Sequence, residues 1–174
     1  MPSSMTLIQT INGTGSSGVF DFTSIPATYA ELMFIFSCRD TDAGAQGGGF
    51  DVALNGSSSN RLECYYFNNN NNGAMNAGGA TYTDFGITVN GNGNAAGTYG
   101  SAILRIPNYA TTSNAKCMWQ DSMQSVYASG TNTAYHFGKA NYWDQNAAIN
   151  RVTFTSATNM DAQSRISLYG ISGL

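Results

Sequence analysis

Short apolar and aromatic runs alternate along this chain with clusters of Gly, Asn, Ser and Thr. Nowhere do apolar residues recur at i, i+3, i+4 and i+7 over three turns. That is the pattern of strands separated by turns. It predicts strands over Thr6–Ile11, Val19–Thr23, Glu31–Cys38, Phe50–Leu54, Arg61–Phe67, Thr81–Val89, Gly100–Ile106, Ala115–Tyr127, Thr133–Trp143, Asn150–Thr155 and Ser164–Ile171. Within Glu31–Cys38 the run Leu32-Met33-Phe34-Ile35-Phe36 has no polar alternation, which predicts a central strand buried on both faces. Asn55-Gly56 after an alternating run predicts a tight hairpin turn. Pro26 and Pro107 end their strands, since proline fixes φ and lacks a donor. Loops are expected over Gly13–Gly18, Arg39–Gly49, Asn68–Asn72 and Asn90–Thr98.

About eleven short strands, with no repeat of fixed period and no linker, predict an all-β fold: one domain over residues 1–174, an antiparallel β-sandwich, jelly-roll-like. The chain is long enough to bury a substantial core.

Composition narrows the function. Only 10% of residues are charged, against about 25% in an average soluble domain. Gly, Asn, Ser and Thr together supply 74 of the 174 residues. The residue types that carry most acid–base, metal and phosphate chemistry are scarce. The formal net charge is −3, and the basic residues Arg39, Arg61, Arg105, Lys116, Lys139, Arg151 and Arg165 are scattered, with no two adjacent. A nucleic acid or an anionic membrane surface finds no basic face here. The N-terminus lacks the basic and long apolar regions of a signal peptide, and the longest apolar run falls far short of the ~20 residues of a membrane helix, so synthesis in the cytosol is expected. Cys38, Cys64 and Cys117 each sit in an apolar or aromatic run without CxxC spacing, and read as buried, reduced thiols.

No catalytic constellation emerges. His136 stands between aromatics without a nucleophile or orienting acid nearby in sequence, and reads as a strand residue with a satisfied hydrogen bond. Gly13–Gly18 has neither nucleophile-elbow order nor the lysine of a phosphate loop. Glu31 and Glu63 are not marked as a glycosidase pair. Asp40 and Asp42, with Asp51 beyond, begin like a calcium loop, but Gly44 falls at the third ligand position and no closing Glu follows, so a solvated loop is expected. No cofactor and no metal are therefore expected, and the chain does not read as an enzyme. Tyr65, Tyr66 and Phe67, running into Asn68, Asn69 and Asn70, with Tyr82 beyond, have the palette of a recognition loop, because tyrosine supplies rigid amphipathic area at low entropy cost. The same aromatics also suit a core.

An ordered set of segments carries a resemblance. They are Leu7-Ile8-Gln9-Thr10-Ile11, Phe22-Thr23-Ser24-Ile25-Pro26-Ala27-Thr28-Tyr29-Ala30-Glu31-Leu32, Val52-Ala53-Leu54-Asn55-Gly56-Ser57, Gly100-Ser101-Ala102-Ile103-Leu104-Arg105-Ile106-Pro107-Asn108-Tyr109 and Ser167-Leu168-Tyr169-Gly170-Ile171. Their order resembles a group of tailed-bacteriophage virion structural proteins. The stretch from Tyr65 to Asn76 and the run Cys117-Met118-Trp119 depart from it. The resemblance implies a β-sandwich without cofactor or catalytic residues, and a place in the virion. With no coiled-coil or collagen-like shaft, the expectation is a capsid decoration (cement) protein, a homotrimer on the capsid surface whose partner is the major capsid protein. The alternative is a tail-fibre tip or receptor-binding module that contacts host surface glycans.

Overall fold

The computed structural model describes residues 4–44, 46–59, 61–69, 75–78, 86–128 and 131–173; for 46–47, 61–69, 75–78, 126–128 and 131–133 it describes the backbone alone. Twelve strands follow one another, with no helix among the described residues: β1 (Ser4–Asn12), β2 (Val19–Phe22), β3 (Glu31–Cys38), β4 (Gln46–Leu54), β5 (Arg61–Asn69), β6 (Met75–Gly78), β7 (Ile87–Asn90), β8 (Gly100–Pro107), β9 (Lys116–Ala128), β10 (Thr131–Trp143), β11 (Val152–Ser156) and β12 (Arg165–Ser172). They form two antiparallel sheets. One has eight strands in the order β1-β12-β3-β8-β9-β10-β5-β6, the other four in the order β2-β11-β4-β7. The expected all-β sandwich is the observed fold.

Setting β5, β6, β9 and β10 aside leaves two sheets of equal size, β1-β12-β3-β8 and β2-β11-β4-β7, and the chain passes from one to the other at every step except from β4 to β7, which share the small sheet. The other four strands join the large sheet side by side beyond β8. The small sheet thus faces the β1-β12-β3-β8 half, and β7, with a smaller contribution from β4, reaches across to β9.

The core lies between the two halves. From the small sheet come Phe20, Phe22, Phe50, Val52, Val152 and Phe154; from the large sheet Leu32, Phe34, Phe36, Leu104, Ile166 and Leu168. Phe154 is the hub. Its ring meets those of Phe22, Phe34, Phe36 and Phe50 at centroid distances of 4.9–6.3 Å, all steeply tilted, the arrangement aromatic quadrupoles favour. At the other end of β12, Gly170 lies directly beneath the Tyr29 ring, where a Cβ would collide with it.

Local turn chemistry follows the sequence where its requirements are strict. Asn55 and Gly56 take φ of 52° and 78°, and Leu54 and Ser57 exchange both backbone hydrogen bonds across them at 2.9 and 3.0 Å. This is the expected two-residue turn. The Asn55 carboxamide also accepts from the Asn150 and Arg151 amides, which ties the turn to the approach of β11.

Several expectations need correction. β3 is buried on one face: Leu32, Phe34, Phe36 and Cys38 are inaccessible, whereas Met33 and Ile35 are half-exposed on the other side of the sheet. Arg39–Gly49 is not a plain loop. Arg39 and Asp40 continue as buried bridge residues, and β4 begins at Gln46. The pairing of β4 with β7 shifts register between Gln46 and Gly49, and this irregularity hides the strand's start in a glycine run. β6 was not foreseen, and β5 carries on through Asn69. The expected strand over Thr81–Val89 is seen as Ile87–Asn90; residues 81–85 lie outside the described residues.

On the outer side of the small sheet Asp21 receives two hydrogen bonds from Arg151, at 2.9 and 2.8 Å, and one from Thr153. The Arg151 contact holds Asp21 below its ordinary value of 3.8. A carboxyl lowered on folding contributes stability that is present above its unfolded pKa and lost as pH falls through the folded value.

Two outcomes follow. Phe154→Ala should lower the unfolding free energy by about 3–5 kcal/mol in urea titrations, whereas Val19→Ala, on the exposed edge of the same sheet, should change it by less than about 0.5 kcal/mol. Asp21→Asn should flatten the loss of stability on acidification below about pH 4 while changing little of the slope above it, read from thermal midpoints across a pH series.

Candidate functional site

The side of the large sheet turned away from the small one is the most unusual surface on the molecule. Strand register lays its residues out in rows. One row runs Leu7, Tyr169, Met33, Arg105, Trp119, Ala140. The row on one side runs Met5, Ile171, Glu31, Pro107. On the other side come Thr10, Ser167, Ile35, Ile103, Asp121, Gly138, and then Asn12, Arg165, Ser37, Ser101, Met123, His136. An antiparallel sheet with one wet face normally turns polar residues outward. Here the exposed large apolar residues among those described are Met5, Leu7, Val19, Trp119 and Met123, and all but Val19 lie on this one face.

β9 shows the inversion most plainly. Its inner residues Lys116, Met118, Gln120, Ser122 and Gln124 are buried, while Cys117, Trp119 and Met123 alternate with them on the outside and are exposed. The reason lies in what covers β9 within the sandwich. There it lies beyond the phenylalanine core, against the backbone around β7, whose polar groups need partners. Gln120 donates to the Gly86 carbonyl at 2.7 Å, and Asn90 exchanges hydrogen bonds with Ser125. Lys116 is buried with its ammonium donating to the Asn114 carbonyl and 6.0 Å from the centre of the Trp143 ring; burial lowers its pKa. Polar side chains therefore point inward on β9, and its apolar ones are left outside.

Two carboxylates of the outer face, Glu31 and Asp121, have side-chain partners close by. Arg105 donates through Nε and Nη2 to both oxygens of Glu31, at 2.5 and 2.7 Å. The Glu31 side chain is 4% exposed and that of Arg105 44%, so the carboxylate is sunk in the sheet surface and the guanidinium spans it. Hydrogen bonding to Glu31 raises the pKa of Arg105. Beside this pair is an open hollow of about 480 Å³ lined by Glu31, Arg105, Pro107, Cys117, Met118 and Trp119. Further along the face His136 Nε2 pairs with Asp121 across β9 and β10. A smaller hollow of about 180 Å³ lies between Ile35, Ile103, Asp121 and Met123.

The residues singled out in the sequence fall differently. Tyr65, Tyr66 and Phe67 fall in the strand expected there, and Asn68 and Asn69 continue it in place of the expected loop. They lie in β5, held by backbone pairing with Ala140, Lys139, Gly138, Phe137 and His136 of β10, and β6 pairs with Tyr66–Asn69 on the other side. Ladder bonds on both sides override the turn preference of asparagine there. Asn70 and Tyr82 lie outside the described residues. His136 does have an orienting acid, Asp121, which sequence spacing concealed because the two meet across strands. Cys38 is buried and its thiol is pushed up to about 12 by desolvation, as expected of an inert core thiol. Cys117 is exposed, contrary to expectation, because β9 is inverted. The side chains of Cys64 and Glu63 lie outside the description.

The Asp40 segment is not the solvated loop expected. Asp40 is buried and accepts hydrogen bonds from the amides of Asp42, at 3.0 Å, and Gly48, at 2.5 Å; desolvation raises its pKa. Both its oxygens are thus occupied with closing the turn. Asp51 bonds the Val52 amide on β4. Among the described residues no group of three His, Cys, Asp or Glu side chains is placed to hold a metal ion.

The Glu31–Arg105 pair invites a double-mutant cycle. Arg105→Met leaves a buried carboxylate unmatched and should cost about 2 kcal/mol, below the ~3–5 of a fully buried pair because the guanidinium is half in solvent. Adding Glu31→Gln should recover most of that loss, and strict additivity of the two changes would contradict a coupled pair.

Comparison with protein-family models, with curated proteins and with solved structures finds no match for this chain.

Proposed function

We propose that this chain is a non-enzymatic structural subunit of a tailed-bacteriophage virion, a capsid decoration protein that seats the outer face of its large sheet on the major capsid protein. The observation that carries the reading is that face: rows of exposed apolar side chains with Trp119 and Arg105 at their centre, residue types enriched at binding hot spots. The distribution of β1, β2, β3, β4, β7, β8, β11 and β12 over two four-stranded layers supports it, since that order is compatible with jelly-roll-like winding, an architecture used in capsid proteins among others. The ordered sequence segments supply the phage assignment. In this reading the protein is made in the host cytoplasm, where unpaired thiols stay reduced, and works on the capsid surface without cofactor, nucleic acid or membrane.

Local pairing of charge gives the contact a particular character. Arg105 is bound to Glu31 and His136 to Asp121, so the charge a partner meets on this face is sparse. Attachment then rests on apolar area and neutral hydrogen bonds, which salt screens weakly.

A tail-fibre tip or receptor-binding module is the second reading. The hollow beside Trp119 favours it, because an exposed indole next to a guanidinium–carboxylate fork offers a stacking surface and hydrogen bonds to a host surface glycan.

Quantitative mass spectrometry of purified virions, with a cryo-EM map, separates the readings. Decoration predicts a copy number comparable to the major capsid protein and density on the head. A few copies at the tail would transfer the assignment to the second reading, and absence from the particle would overturn both. Trp119→Ala should weaken attachment to the head by about 2 kcal/mol, roughly thirtyfold, with little dependence on ionic strength.

A further inference from the structure

A sheet edge is a row of unpaired backbone donors and acceptors, and proteins guard such edges with short strands, charge or proline. Each of the two sheets here has two edges. Three of the four edge strands, β2, β6 and β7, are four residues long. β2 also carries the charged Asp21–Arg151 pair, and β7 packs against β8 and β9. The fourth edge, β1, is nine residues long, Ser-Met-Thr-Leu-Ile-Gln-Thr-Ile-Asn, with no charged residue and no proline. Among the described residues its sheet neighbour is β12 alone. The one guard is a register shift between Leu7 and Gln9, which leaves Ser4–Leu7 as a regular stretch. Within that stretch Met5 and Leu7 are 54% and 53% exposed on the outer face.

We propose that β1 pairs antiparallel with β1 of a second copy of this chain, about a two-fold axis at Thr6. The strand itself points to this occupant. A charged edge would repel its own copy, whereas an uncharged one meets itself without penalty, and one self-matching surface closes the assembly. Pairing at Thr6 sets Met5 beside Leu7 of the second copy, and Leu7 beside its Met5. Two half-exposed apolar side chains at the rim of one sheet thereby become neighbours at the centre of a larger one. Antiparallel pairing requires the axis to stand perpendicular to the sheet, so both outer faces point the same way. The two eight-stranded sheets join into one, and the Leu7–Tyr169–Met33–Trp119 rows become a continuous platform. A threefold assembly built by extending this sheet would instead require its unlike edges β1 and β6 to meet. The pairing does not depend on where in a particle the protein sits.

Sedimentation equilibrium from micromolar to sub-millimolar concentration tests it, with Thr6→Lys, Thr6→Glu and Trp119→Ala variants of the full chain. Thr6 is exposed, so its variants should melt within a few degrees of the parent. The expected result is a dimer in the parent and in Trp119→Ala. Each Thr6 variant alone should bind itself at least tenfold more weakly, and an equimolar mixture of the Lys and Glu variants should re-form the dimer. A parent that stays monomeric, a trimer, a dimer indifferent to charge at Thr6, or a dimer lost on Trp119→Ala would overturn the proposal.

Discussion

Six phenylalanine rings packed edge-on between two sheets of unequal width are the contact on which the rest of this molecule depends. Phe154 sits at the middle of the set, on the strand between β2 and β4, and ties the small sheet to Phe34 and Phe36 of the large one. Four strands cannot cover eight. The phenylalanine core therefore serves one half of the large sheet, and the other half finds a different solution. Inside, β9 meets the Gly86 carbonyl with Gln120 and the Asn90 side chain with Ser125. Outside, it leaves Cys117, Trp119 and Met123 in solvent. The mismatch in sheet width thus accounts for the inversion of β9, which adds Trp119 and Met123 to the outer face.

Scarcity of charge acquires a structural meaning in this setting. Several of the few ionic groups are matched at short range: Arg105 with Glu31, Arg151 with Asp21, His136 with Asp121. Arg39 closes the turn after β7 through the carbonyls of Asn92 and Asn94. Charges matched in this way fix local geometry and contribute little long-range field, so in the proposed reading recognition through the outer face would rest on shape and apolar area. Such contacts suit repeated subunits that must hold together as the ionic surroundings change.

The sequence was legible where a local rule admits one answer. Alternating runs marked the strand positions, Asn55-Gly56 marked its turn, and the absence of helical periodicity settled the class. It misled where tertiary context decides. Leu32–Phe36 reads as buried on both faces, yet half of it belongs to the open face that carries Met33 and Ile35. β9 alternates cleanly, but alternation does not say which side is inside, and hydrophobicity alone chooses the wrong one for Trp119 and Cys117. Asn68 and Asn69 have the composition of a loop and are drawn into β5 by pairing with β10, while Asp40 reads as part of a solvated loop and is instead buried, closing a turn. The exposed face was foreshadowed by one signal in the sequence: large apolar residues at Met33, Ile103, Trp119 and Met123, at positions alternating with a second apolar or polar set that had to lie on the opposite side of the same strands.

The central claim is that the outer face of the large sheet is a contact surface. Carbene footprinting of the protein, free and within purified virions, tests it most directly. The account predicts strong labelling of Trp119 and Met123 in the free protein and loss of that labelling in the particle, with Val19 on the small sheet labelled in both. Trp119 and Met123 labelled equally in both states would contradict it.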